Sequence, residues 1–248
     1  MDVLASLVAA LVATGFAVEL FGSWRQRQRA HAAIWTVAVG AYALATWALF
    51  VGLAFGWNET VFRIFYYLGA IANIPLFAAG SVSLVFGGRS GRRFLSVVLV
   101  WLAAGALAVA AAPIEGSLDA VGIPEGSDLY GFSVSLAGIT FPGPRFFAAV
   151  GGAAGSVVVI GLALYSALRF WRSNRRMAVG NLLIVAGVLA PALGGSLTAL
   201  GEGTALAFSL LVGAVLLWLG YHVAVSARRD HRRPAVSAVG GDDAGEDQ

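Results

Sequence analysis

The chain alternates long apolar stretches with short polar breaks. Each stretch holds about 20 or more predominantly apolar residues, the helix length that crosses the roughly 30 Å hydrocarbon core of a bilayer. Seven such stretches are predicted to be transmembrane helices: Val3 to Phe21, Ala32 to Phe55, Val61 to Phe86, Phe94 to Ala112, Phe146 to Phe170, Met177 to Leu200 and Thr204 to Val225. The pattern predicts an all-α fold, a seven-transmembrane-helix bundle formed by residues 1–225.

The polar breaks carry arginine in a regular alternation. All 16 basic residues are arginine, and 14 of them follow the odd-numbered stretches. They are Arg25, Arg27, Arg29, Arg89, Arg92, Arg93, Arg169, Arg172, Arg175, Arg176, Arg228, Arg229, Arg232 and Arg233. Only Arg63 and Arg145 fall on the other side. Because cytoplasmic loops retain basic residues, the N-terminus is predicted outside and the C-terminus in the cytoplasm.

This orientation predicts a multi-pass protein of the plasma (inner) membrane with an arginine-rich inner face. Such a face attracts the headgroups of anionic lipids, which are the partners we expect beside the bilayer itself. The sequence pI of 9.7 is explained by membrane topology and does not indicate nucleic acid as a partner.

Two segments differ from the apolar stretches. The outer loop, 113–145, contains an alternating stretch whose Tyr130, Phe132, Val134 and Leu136 would share one face if extended. A small β-hairpin and an irregular ordered loop both remain open for it. The segment 226–248 has almost no large apolar side chains and is predicted to be a disordered cytoplasmic tail. A parallel repeat relating the first three helices to the last three also remains open.

The composition excludes several classes of protein. Hydrophobic residues make up 59% of the chain and charged residues 12%, and the mean hydropathy is +0.82. Too little polar surface is left to coat a water-exposed core, so a soluble globular enzyme is excluded. The chain has no cysteine and no lysine. Disulfides, thiolate metal sites, cysteine nucleophiles and lysine Schiff bases are therefore excluded as well.

The third stretch carries the most informative polar residue. At 100° per residue one stripe collects Tyr66, Gly69, Ala70, Asn73, Phe77 and Gly80, with Arg63 at its edge. Asn73 lies about 18 Å from the outer end at 1.5 Å per residue, near the bilayer midplane. An amide at that depth needs partners. It either bonds across a helix contact or lines an internal polar pocket with Arg63 and Tyr66.

Other candidate residues lie on neighbouring helices. Tyr42 and Trp47 of the second stretch are further candidates for ligand binding. Pro75 and Pro191 are predicted to kink the third and sixth helices. Glu19 is either an interfacial carboxylate paired with Arg25 or, as a weaker candidate, a proton-coupling group.

Neither a cofactor nor catalysis is indicated by any motif. No cluster of residues has metal-ligand spacing, so we predict no metal site. Only His222 lies in a span, and haem bound by two imidazoles needs a second one facing it. No catalytic constellation is visible, and we expect that the protein is not an enzyme.

The topology resembles that of microbial rhodopsins. In the third stretch, the spacing of Tyr67, Pro75 and Leu76 resembles the corresponding rhodopsin helix. Gly69 and Ala70 stand where that family has its counter-ion aspartate and tryptophan, and the last stretch has no lysine to hold retinal. The resemblance therefore implies the helix plan and excludes a retinal protein.

The segment YLGAIANIPLFAAGSVSLVFG, from Tyr67 to Gly87, resembles uncharacterised seven-span integral membrane proteins of GC-rich bacteria. That resemblance implies a fold and no activity. Two functional hypotheses follow from the sequence. The favoured one is a ligand- or solute-binding bundle, transporter-like or receptor-like, whose pocket opens outward beneath the 113–145 loop and takes an unidentified small ligand. The alternative is a non-catalytic membrane scaffold or assembly protein that binds a partner protein.

Overall fold

Seven long helices dominate the structure, a computed structural model that describes residues 1–118, 122–136, 138–198 and 205–230. Within these residues, all seven are long and apolar enough to span a membrane. In chain order, the first to seventh spans are Asp2–Arg27, Ala30–Phe55, Glu59–Phe86, Gly88–Ala111, Pro144–Phe170, Arg175–Thr198 and Ala205–Asp230. The predicted all-α fold, with seven helices able to span a membrane, is confirmed.

Polar residues fix several span boundaries. Gln28, between the first two spans, adopts a left-handed conformation with φ 48°, and its N–H donates to the Trp24 carbonyl at 2.7 Å. Asn58 caps the third span by accepting a hydrogen bond from the Val61 N–H at 3.0 Å. Asn174 does the same for the sixth span. The two asparagine caps satisfy amide groups that a helix start leaves unpaired.

The third span is not a uniform α-helix. It is α-helical over Glu59–Tyr66 and Asn73–Phe86, with a π-helical segment at Tyr67–Ala72 between them. Pro75 follows shortly afterwards and supplies no N–H to the preceding turn. The helix in which a kink is predicted at Pro75 therefore contains a π-helical segment just before that proline, a feature that is frequent at functional sites.

The third span also occupies the centre of the bundle, and 67% of the residues in its most apolar stretch are buried. It contacts the second, fourth and fifth spans. The fifth contacts the sixth, and the sixth contacts the seventh. The first span covers the junction of the second and seventh, and the fourth packs outside the third and fifth. Large apolar side chains such as Val100, Leu107 and Val157 are exposed, as expected of a lipid-facing surface.

Glycines bring the sixth and seventh spans into backbone contact. A Cβ added at Gly187 would lie 2.8 Å from the Leu217 nitrogen, and one at Gly220 would lie 2.8 Å from the Gly180 carbonyl oxygen. Larger side chains at these positions would force the helices apart. Small residues at helix contacts are typical of membrane bundles, where close van der Waals packing drives association.

The loop between the fourth and fifth spans contains regular structure. A short helix, Gly126–Leu129, precedes strands β1, Ser133–Leu136, and β2, Ile139–Pro142, which pair antiparallel. Of the two alternatives open for this loop, the β-hairpin is the one that forms. Tyr130 and Val134 are buried, whereas Phe132 is 54% exposed, so the alternating residues do not share one buried face.

Two ends of the bundle can now be distinguished. The hairpin end carries the β-hairpin and the short helix, and the arginine end carries the turns after the odd-numbered spans. At the arginine end, the seventh span continues to Asp230, past the predicted boundary at 225. The rest of the predicted tail, 231–248, and the turn at 201–203 lie outside the described residues.

Candidate functional site

A cavity of about 550 Å³ lies inside the bundle beneath the hairpin-end loop. Five spans line it, the second, third, fifth, sixth and seventh, and residues 123–127 of the loop lie over it. Its lining includes Tyr42, Phe65, Tyr66, Gly69, Ala70, Asn73, Phe77, Ser156, Val188, Pro191, Leu206 and Leu210. Apolar side chains predominate and few polar groups are present, the usual character of a small-molecule site.

Asn73 is the polar residue deepest in the third span that lines this cavity. The residue is only 4% exposed, and no hydrogen bond joins its side chain to another described residue. Its backbone N–H donates to the Leu68 carbonyl, in the five-residue pattern of the π-helical segment. The amide therefore presents both a donor and an acceptor to the cavity.

Small residues create this space, and they also bring the fifth span against the third. Gly69 and Ala70 of the third span and Gly187 of the sixth leave room where larger side chains would meet. Next to the cavity-lining Ser156 of the fifth span, a Cβ at Gly155 would lie 2.8 Å from a methyl carbon of Ile74. The small-residue spacing Gly151 to Gly155 is thus a packing face.

An aromatic cluster packs beside the cavity at the hairpin end. The rings of Tyr66 and Tyr130 lie 4.9 Å apart between centroids, and Phe62 packs against both. The Tyr66 ring is also in contact with Gly126 of the short helix, where a Cβ would clash. The Trp57 Nε1 donates to the Gly122 carbonyl at 2.9 Å. These contacts hold the loop over the cavity.

Of the five candidate ligand-binding residues, the structure brings together Tyr42, Tyr66 and Asn73, all of which line the cavity. The Tyr42 hydroxyl already donates to the Leu210 carbonyl at 2.5 Å. Tyr42 thereby joins the second span to the seventh and forms part of the wall. Tyr66 and Asn73 are left as the better-placed ligand-binding groups.

Arg63 does not line the cavity. Its guanidinium donates to the carbonyls of Val109, Ala110 and Ala112, at the end of the fourth span, and lies 3.6 Å from the Glu59 carboxylate. The last carbonyls of a helix lack backbone donors and carry partial negative charge. Arg63 therefore caps the fourth span.

The other two candidates also lie elsewhere. The Trp47 Nε1 donates to the Thr14 hydroxyl at 3.0 Å, so this side chain faces the first span. Glu19 accepts a hydrogen bond from the Trp218 Nε1 at 2.7 Å and lies 3.0 Å from the His222 Nε2. Its partners are on the seventh span, whereas the Arg25 guanidinium lies over the Phe21 ring.

A second cavity, of about 340 Å³, opens toward the arginine end. One helical turn separates the two cavities on two spans, because Val188 and Leu217 line the first cavity and Ile184 and Tyr221 line the second. Two aromatic side chains lie between the cavities. Phe77 of the third span lines the first cavity and packs edge-on against Trp35 of the second span, which lines the second cavity; their ring centroids are 6.4 Å apart. A single layer of side chains divides the two cavities.

Sequence reasoning missed two kinds of lining residue, the loop residues above the cavity, such as Glu125, and Ser156 of the fifth span. Ser156 follows Gly152 at a four-residue spacing, which could have marked this face. Among the described residues, no group of three or more His, Asp or Glu side chains could hold a metal ion. Comparisons with protein-family models, curated proteins and solved structures find no match to this chain.

Proposed function

We propose that this multi-pass protein is a non-enzymatic binding protein of the plasma membrane, with its N-terminus outside and its C-terminus in the cytoplasm. Its ligand is a small, largely apolar molecule with one hydrogen-bonding head, held in the hairpin-end cavity. One observation carries the proposal: the buried Asn73 amide has no partner among the described residues and lines a cavity of about 550 Å³. Polar groups at membrane depth are costly and are therefore functional candidates.

The lining indicates the chemistry of the ligand. Phe65, Phe77 and Leu210 offer apolar surface, which suits a ring or an alkyl chain. The Asn73 amide can donate to a carbonyl and accept from a hydroxyl. A sugar or a zwitterionic amino acid would need many more polar partners than this lining supplies, because each unpaired group would lose its hydration.

A thermal-stability screen tests the proposal. Purified protein is incubated with decylubiquinone, oleamide, glucose or leucine, and the midpoint of thermal unfolding is compared. We expect the quinone or the fatty amide to raise the midpoint through preferential binding to the folded state. The rise should be lost in Asn73→Leu and kept in Trp47→Phe, a matched change outside the cavity. Stabilisation by glucose or leucine alone, or a rise that persists in Asn73→Leu, would contradict the proposal.

Only a single layer of side chains lies between the two cavities, and this favours transport of the ligand over reception alone. Movement of Phe77 and Trp35 would connect them into a route from end to end. Because the chain has no cysteine, one introduced thiol reports access directly. We expect Val188→Cys to react with a membrane-impermeant reagent from the hairpin end only, and from both ends once Phe77→Ala is added. If the introduced thiol of Val188→Cys stays unreactive from the arginine end when Phe77→Ala is added, a receptor or a scaffold is favoured over a transporter.

A further inference from the structure

The second cavity has a different chemical character from the first. Arg27 and Arg29, which flank the turn at Gln28, lie at its mouth with His31, and Ser23 and Asn181 add neutral polar groups. No acidic residue lines the cavity within the described part of the chain. Neither guanidinium is paired with an acid among the described residues.

The inner part of this cavity is apolar. Leu20, Leu84 and Ile184 come from the first, third and sixth spans, and Trp35 and Val225 add to the same lining. A free anion would use the arginines and leave this surface without a partner. A lipid would use both, since its phosphate would meet the guanidiniums while its glycerol and upper acyl chain would contact the apolar side chains.

We propose that the arginine-end cavity is a binding site for the phosphodiester headgroup of an anionic glycerophospholipid. Guanidinium groups bind phosphate oxygens in a bidentate manner. The left-handed Gln28 places two of them on either side of one tight turn. Basic pockets between transmembrane helices are a recurrent form of lipid headgroup site. This site differs from the general attraction of an arginine-rich face, because it is a cavity bounded by five spans in addition to the turn.

The experiment compares two lipids with the same acyl chains. Protein in detergent is titrated with dioleoyl phosphatidylglycerol or dioleoyl phosphatidylcholine, and bound lipid is counted by native mass spectrometry. We expect a clear preference for phosphatidylglycerol in the natural protein. The preference should fall by roughly 10- to 30-fold in Arg27→Gln/Arg29→Gln, because each basic group near the headgroup contributes about fivefold.

Two further variants separate a built site from general surface charge. Arg89→Gln/Arg92→Gln removes two exposed arginines at the same end but outside the cavity, and it should keep the preference within about threefold. Ala32→Phe narrows the cavity and leaves every arginine in place, so it should lower the preference. All variants are first compared in thermal midpoint and in elution volume.

Three results would overturn the proposal. Equal losses in the two arginine pairs would mean that surface charge alone selects the lipid. An unchanged preference in a folded Ala32→Phe protein would place the lipid outside the cavity. Displacement of phosphatidylglycerol by millimolar inorganic phosphate would assign the site to a soluble anion.

Discussion

Replacing Asn73 with leucine distinguishes the two roles that its amide could have. Leucine has nearly the same size and shape but no hydrogen-bonding group, and the adjoining cavity can take the small difference in volume. If the amide bonded across a helix contact, its loss would weaken the bundle. If it faces the cavity without a partner among the described residues, its loss removes a polar group that the bundle itself leaves unpaired.

The two roles predict opposite signs for the change in stability. Interhelical hydrogen bonds in a membrane contribute about 0.6 kcal/mol on average and about 1.7 kcal/mol at most. A buried polar group left unpaired costs about 1–3 kcal/mol, and water in the cavity would lower this cost. We therefore expect Asn73→Leu to leave the free energy of unfolding unchanged or to raise it by up to about 2 kcal/mol.

The assay is reversible unfolding in mixed micelles with increasing dodecyl sulfate, followed by helix content. Tyr42→Phe is the matched control, because it removes a hydroxyl that does bond across spans, to the Leu210 carbonyl at 2.5 Å. It should lower the free energy of unfolding by about 0.5–1.5 kcal/mol. A loss in Asn73→Leu as large as that in Tyr42→Phe would refute the assignment of Asn73 to the cavity.

The contacts of Arg63, Gly187 and Tyr130 each lead to an expected change in stability. Arg63→Gln should lower the free energy of unfolding by about 1–3 kcal/mol, because carbonyls at the end of the fourth span lose a charged donor. Glu59→Gln should change the free energy of unfolding by less than about 0.5 kcal/mol, since the ion pair between Glu59 and Arg63 is exposed. Gly187→Val should prevent native packing of the sixth and seventh spans, whereas Gly161→Ala, with open space around it, should unfold like the natural protein in the same micelles. Burial raises the pKa of Tyr130, Arg63 lowers it and Glu59 raises it, so the unfolded phenol ionises first and stability falls as pH rises above about 10. Tyr130→Phe should reduce that fall in unfolding curves measured at pH 8 to 11, without a loss at neutral pH, because the hydroxyl is buried with no partner among the described residues.

The sequence predicts the spans well because the physics of the bilayer is strict. A helix in hydrocarbon must be long, apolar and internally hydrogen-bonded, and each condition leaves a mark on the chain. Helical periodicity also predicts that Tyr66 and Asn73 lie on one face of the third span, because residues on one helical face meet the same neighbour. Both line the cavity.

Interactions between distant segments could not be read in the same way. Arg63 lies at the edge of that stripe, and nothing in the chain indicates that its guanidinium meets carbonyls more than 40 residues later. Glu19 has Arg25 nearby in sequence, yet its partners are on the seventh span. Arg27 and Arg29 look like topology signals alone until the fold places them beside a cavity. Such roles depend on helix rotation and packing, which hydropathy does not encode.

The π-helical segment at Tyr67–Ala72 is a further limit of sequence reasoning. Pro75 marks the helix as irregular, because it removes one backbone donor. A kink and a π-helical segment are both solutions to that defect, and the choice depends on neighbouring spans. Here Gly151 and Gly155 bring the fifth span against Ile74 and Pro75, directly after the irregular segment.

Thiol labelling at two alanines of the third span shows directly whether a ligand-accessible cavity reaches Asn73. Ala70 lines the cavity, whereas Ala78 has no exposed surface and lies in a packed interface. With no other thiol in the chain, each single-cysteine variant is reacted with a small methanethiosulfonate reagent in lipid nanodiscs. We expect rapid labelling of Ala70→Cys and almost none of Ala78→Cys. Equal, slow labelling of both would contradict this expectation.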